Sequence, residues 1–167
     1  SDLRGPSLSP YALPSKPPTI TSWRTGTGTT ITTNAGITPD MTIIKNKSSA
    51  IGFLLTDRLL GYGNLATNTT AAFSTGNGVS YDVMNGVMVN TNVAQNYSGY
   101  SYVDWYFKRA PGFFDEVCYT GTGSATTQAH NLTVVPELMI VKERSAINDW
   151  WVYVSSVGNT KYSVLNS

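Results

Sequence analysis

The sequence is poor in the groups that most enzymes and metal proteins rely on. It has one cysteine and one histidine in 167 residues. A single cysteine, Cys118, excludes an intramolecular disulfide, and its apolar surroundings predict a buried, inert thiol. Structural zinc needs several Cys or His ligands, so one of each excludes a zinc site within one chain. A Ser-His-Asp site would have to use His130, which falls in a loop and is read as a surface or turn residue. Charge is also scarce. Only 13% of residues are Asp, Glu, Lys or Arg, about half the share of an ordinary globular domain. The net charge of +1 leaves no basic patch for phosphates, and no nucleic-acid partner is expected. No apolar run approaches the roughly 18 residues of a membrane span, so no membrane insertion is expected. No charged leader followed by an apolar segment is present. The chain is expected to be a fragment of a longer polypeptide, or the ordered part of one.

What is abundant is Thr, Ser, Asn and Gly, with a 41% hydrophobic share. Thr favours strands, and Asn and Gly favour turns. Residues 1–20 hold Pro6, Pro10, Pro14, Pro17 and Pro18. Proline fixes φ and removes a ladder donor, so this stretch is expected to be an extended arm or linker. Beyond it, short apolar runs alternate with turn signals: 41–45, 53–56, 81–89 around Asn85-Gly86, 101–107, 116–119, 137–141 and 150–154. Asn85-Gly86 predicts a two-residue hairpin. In 101–107 the period of two puts Val103, Trp105 and Phe107 on one face and Tyr102, Asp104 and Tyr106 on the other. Residues 57–61 predict at most a turn of helix. The expected fold class is all-β, with tandem β-sandwich-like units behind a Pro-rich arm.

An internal repeat organises the chain. Thr25-Gly26-Thr27-Gly28 returns as Thr120-Gly121-Thr122-Gly123, and Pro39-Asp40 as Pro136-Glu137. Met41-Thr42-Ile43-Ile44-Lys45 returns as Leu138-Met139-Ile140-Val141-Lys142. Ser49-Ala50-Ile51 is matched with Ser145-Ala146-Ile147, Phe53-Leu54-Leu55 with Trp150-Trp151-Val152, and Gly63-Asn64 with Gly158-Asn159. Three segments follow: an arm over 1–20, a first unit over 21–110 and a second, incomplete unit over 111–167. Whatever completes the second unit is expected outside this sequence or in another subunit.

These motifs, in this order, resemble a repeated β domain of unknown function found in tail fibres and other virion proteins of marine and environmental tailed bacteriophages. The residues carrying the resemblance are 119–123, 136–145, 149–154, 158–160 and Leu165-Asn166 in the second unit. In the first unit they are 39–48, 63–64, 68–72 and 102–108. The sequence departs from the family pattern at His130-Asn131-Leu132-Thr133 and at Lys142-Glu143-Arg144. The resemblance implies a virion structural protein, as a tail fibre or adhesin segment in attachment or host recognition. A capsid head-fibre or decoration role is the alternative, and a polysaccharide depolymerase a weaker one.

Chemistry to support the enzyme reading is thin. A glycosidase needs two carboxylates at a set separation. Asp115 with Glu116, or Asp104 with Asp57, are the pairs available, and adjacent residues of a strand face opposite ways. Gly76-Asn77-Gly78 and the Thr-Gly-Thr-Gly segments lack the helix and lysine of a phosphate loop and read as turns. The chain is not expected to be an enzyme or to need a cofactor. The aromatics are denser, at 97–106 and 150–153. Packing in core and subunit interface is the preferred reading, with Trp105 and one of Trp150 and Trp151 in the core. Tyr100, Tyr102, Tyr106, Trp151 and Tyr153 are then the candidates for contact with a glycan or another subunit. The expected partners are copies of itself, as a homotrimer, and other virion proteins through the arm, with host surface glycans as a further candidate.

Overall fold

The computed structural model describes residues 19–167. Residues 1–18, most of the expected arm, lie outside the described residues. The fold is all-β, and the described residues form eleven strands in several antiparallel sheets and one 3-10 turn. Among the described residues no helix is long and apolar enough to cross a membrane.

The first unit is built on a six-stranded sheet. Its strands are β1 (Thr19–Thr25), β3 (Met41–Asn46), β4 (Phe53–Asp57), β5 (Gly63–Ala66), β6 (Ser74–Thr75) and β8 (Ser101–Phe107), in the order β1-β8-β3-β4-β5-β6. A two-stranded ribbon of β2 (Ile31–Thr32) and β7 (Met88–Val89) lies apart from that sheet. Thr19 and Ile20, the last two residues of the expected arm, belong to β1. Ile20 packs against the core, which the proline-based reading could not see.

The register explains which residues are buried. Ser22, Asp104, Ile44 and Leu54 form one row across four strands, and Ile20, Tyr106, Thr42 and Thr56 form the next. This inner face meets Ala35, Ile37, Val79, Tyr81, Val87 and Val89 from the ribbon and its loops, and together they make the core. The outer face carries the alternate rows: Trp23, Val103, Lys45 and Phe53, then Thr21, Trp105, Ile43 and Leu55.

Asn85-Gly86 does not make a two-residue hairpin. Only Ser80 and Met88 bridge across a wide loop. Gly86 is required because its φ is 115° and a Cβ would stand 1.9 Å from the Thr33 carbonyl oxygen. In place of a helical turn at 57–61, residues 58–60 form a turn at the end of β4, with Asp57 Oδ1 accepting the Leu60 amide at 2.6 Å.

The second unit holds a three-stranded sheet of β9 (Leu138–Lys142), β10 (Trp150–Val154) and β11 (Ser163–Val164), with β10 in the middle. Residues 116–119 form no strand. Glu116 turns its carboxyl inward, whereas Val117, Cys118 and Tyr119 lie exposed, so Cys118 is not buried. An apolar run buries its side chains only where a second layer covers it, and none covers this one.

Candidate functional site

The repeat is visible atom by atom. Lys45 Nζ donates to the Ile51 carbonyl, and Lys142 Nζ donates to the Asn148 carbonyl at 2.9 Å. The Arg58 amide donates to Asp40 O at 2.8 Å, as the Ser155 amide does to Glu137 O at 2.8 Å. The Thr67 amide donates to Phe53 O and the Leu165 amide to Trp150 O. Lys45 pairs with Phe53 and Lys142 with Trp150. The two Thr-Gly-Thr-Gly turns also agree: Gly28 and Gly123 take φ of 70° and 75°, and Thr27 and Thr122 each bond to the residue two further on. Two sequence matches fail in space. Ile51 corresponds to Asn148, which shifts the Ser-Ala-Ile match by one residue. Gly63-Asn64 lie in β5, whereas Gly158-Asn159 lie in the turn before β11.

The units meet where the hairpin loop of the second lies on residues 66–73 of the first. Trp150 is buried, and its indole N–H donates to Ala66 O at 3.2 Å and Thr69 O at 3.1 Å. The Phe73 amide donates to Arg144 O, and the Asn148 amide to Thr70 O. Lys142 Nζ adds a bond to Thr70 O at 3.2 Å. Every buried polar group at such a seam must find a partner, and these backbone groups find theirs in the other unit.

The aromatic candidates fall into different places. Tyr102 and Tyr106 are in the core, at 1% and 0% exposure, the reverse of the expected facing. The reason is the polar cluster between them. Arg24 pairs with Asp104 at 2.5 Å and also reaches Asn96 Oδ1 and the Gln95 carbonyl. The Tyr106 hydroxyl donates to Asp104 Oδ2 at 3.0 Å. The Tyr102 hydroxyl donates to Val93 O and accepts the Tyr97 amide, both at 2.8 Å. The Arg24 guanidinium lies 4.6 Å from the centre of the Tyr102 ring. A charge on the inner face can be buried because it is paired and bonded throughout, and the two tyrosines close the network. Neither ring is open to a sugar. Burial also raises the pKa of both phenols.

Tyr100 is half-buried against the core and meets the ring of Tyr97 edge-on at 5.1 Å. Trp151 is exposed and meets Tyr162 edge-on at 4.7 Å. Tyr153 shares its strand face, two residues along, and is half-buried. Trp150 is the buried member of the tryptophan pair. Trp105 is only partly buried, on the outer face, with its ring 6.1 Å from Phe53. That face, with Trp23 at 67% exposure under the Lys47 ammonium, was missed from the sequence. The alternation of Ile20, Ser22 and Arg24 against Thr21 and Trp23 carried the signal, but the buried arginine inverts the usual polar-out rule.

The carboxylates gather differently from expectation. Asp104 is committed to Arg24, and Asp57 to the Leu60 amide. Asp40 stands 3.5 Å from Arg58 and 3.7 Å from Arg109, at the edge of an open cleft that also involves Asp115 and Asn131. Asp115 Oδ2 accepts the Asn131 amide at 2.7 Å. Beside it, burial pushes the Glu116 carboxyl up to about 8, with the charges of Asp57 and Asp40 adding and Arg109 opposing. Its Oε2 is buried without a partner, as suits a carboxyl that holds its proton. His130 is exposed, and its Nδ1 accepts the Leu132 amide in a turn. Among the described residues no three His, Cys, Asp or Glu side chains come together as a metal site.

The model of one protein family, a domain of unknown function (DUF7483), matches residues 18–167. The match runs through both repeats and covers nearly the whole chain. The chain belongs to this family. No curated protein and no solved structure matches it.

Proposed function

We propose that this DUF7483 member is a structural module of a tailed-phage virion, in a tail fibre or its adhesin, with no catalytic role. The observation that carries the reading is the seam between the repeats. One unit's hairpin docks on the preceding unit through Trp150 and paired backbone groups, the kind of neighbour contact that extends a repeated protein. The ordered motifs and their resemblance to phage virion domains point the same way, as does a surface built of Thr, Asn and Gly with little charge. The outer face of the six-stranded sheet, with Trp23, Phe53 and Trp105, is the surface for contacts between copies in a homotrimer. Trp151 with Tyr162, and Tyr100 with Tyr97, are the aromatic platforms for a host glycan, since an exposed ring offers an apolar face beside polar neighbours. The other virion proteins would be met through the N-terminal arm.

Immunogold electron microscopy on particles of the encoding phage tests this. Gold on tail appendages is the expected result. Gold on the capsid would move the chain to a head-fibre or decoration role, and particles free of label would overturn the virion assignment.

A further inference from the structure

We infer that three loops of the first unit form a binding site for a neutral sugar, with the Tyr62 ring as its floor and the Asn77 side chain as a donor beside it. The loops follow β4, β6 and β7, and they carry Tyr62, then Asn77, then Asn90 and Asn92. Two features force them together. Gly78 lies so close to the first loop that a Cβ there would stand 2.2 Å from the Gly63 nitrogen. Gln95, at 0% exposure, joins the other two loops through its side chain. Its Nε2 donates to the carbonyls of Asn77 and Gly78, and its Oε1 accepts the Asn90 amide at 3.2 Å. A buried amide bonded at both ends fixes the loops it joins.

The side chains on the solvent side are fixed in turn. Asn92 Nδ2 donates to Asn77 Oδ1 at 2.8 Å, and Asn90 Nδ2 donates to the Tyr62 hydroxyl at 3.1 Å. Tyr62 is thus held by its tip while 56% of the residue stays exposed. A rigid tyrosine gives contact area at little entropic cost, and groups already in place bind a ligand more tightly. Two bonding capacities are left over. Among the described residues Asn77 Nδ2 has no partner, since only the side-chain oxygen is engaged, and the Tyr62 hydroxyl accepts from Asn90 but donates to nothing. A ring face beside free amide and hydroxyl donors matches a sugar, which offers an apolar C–H face and hydroxyl oxygens that accept. The groups that line the site are amides and a phenol, with no charge among them, so the sugar they fit is neutral. The inference rests on the adhesin reading for the source of that sugar and not for its binding.

The test is a calorimetric titration of the full chain with neutral gluco-, manno- and galacto-hexaoses, and with a galacturonate hexamer as the acidic control. At least one neutral hexaose should bind, and more tightly than the acidic one. Tyr62→Ala should weaken that binding about tenfold, and Asn77→Ala about fivefold. Both side chains are exposed, so both variants should keep the circular dichroism of the unaltered chain. Tyr119→Ala, at an exposed tyrosine of the second unit, should bind as the unaltered chain does. No binding of any neutral hexaose, or tighter binding of the galacturonate, overturns the inference. So does binding that survives Tyr62→Ala and Asn77→Ala but is lost with Trp151→Ala, a result that leaves the host-glycan reading standing. The virion assignment is decided separately by the gold label.

Discussion

The two units build the same hairpin and reach opposite outcomes. In the first, β3 lies between β4 and β8, and Thr42, Ile44 and Asn46 are fully buried. In the second, among the described residues, β9 pairs with β10 alone, and four apolar residues in a row are exposed. The second strand is the more hydrophobic of the two. Burial is therefore a property of what covers a strand, not of the strand. Local pairing and the loop lysine suffice to form the hairpin, while a core needs a second layer.

The comparison can be broken most forcefully at Arg24. Arg24→Ala leaves Asp104 charged and buried without its partner, and should cost about 3–5 kcal/mol. Urea unfolding followed at the core would show a lower midpoint, and a loss below about 1 kcal/mol would mean that the network is not what holds the inner face.

Trp150→Ala attacks the seam. It should cost about 3 kcal/mol and raise hydrogen exchange over residues 138–164 by roughly a hundredfold, leaving β1, β3 and β8 protected. Uniform loosening of both units would show instead that they fold as one body.

Glu116 sharpens the contrast in pH. Its carboxyl is raised from 4.5 to about 8, so the unfolded chain releases the proton first. The folded state is favoured most below 4.5 and loses that advantage as pH rises toward about 8. Glu116→Gln should flatten thermal stability across that window, and an unchanged slope would assign the dependence to another group.

The smallest effect is expected at Trp151. Trp151→Ala removes an exposed ring and should change stability by under about 1 kcal/mol. If the Trp151 and Tyr162 platform holds a glycan, binding to host-surface polysaccharide falls while the fold is intact, and unchanged binding would remove this pair from the adhesive surface.

Much of the site was legible only in part. The matched 41–45 and 138–142 strands and the positive-φ glycines of both Thr-Gly-Thr-Gly turns follow from local pattern. The facing of β8 does not. Period two separates Tyr102, Asp104 and Tyr106 from Val103, Trp105 and Phe107, but cannot say which set is inside. Ordinary hydrophobicity favours the second set. Arg24, eighty residues away in sequence, reverses the choice by neutralising Asp104. Cys118 shows the converse case, an apolar run with nothing above it.

The sequence by itself determined the all-β class, the repeat and the positions of its main strands, because alternation, proline and glycine act on neighbouring residues through φ and pairing. Only the tertiary structure decided which face of β8 is core and where Trp150 docks. Those depend on contacts between distant segments, where the pairing of one buried charge or the presence of one covering strand outweighs local preference.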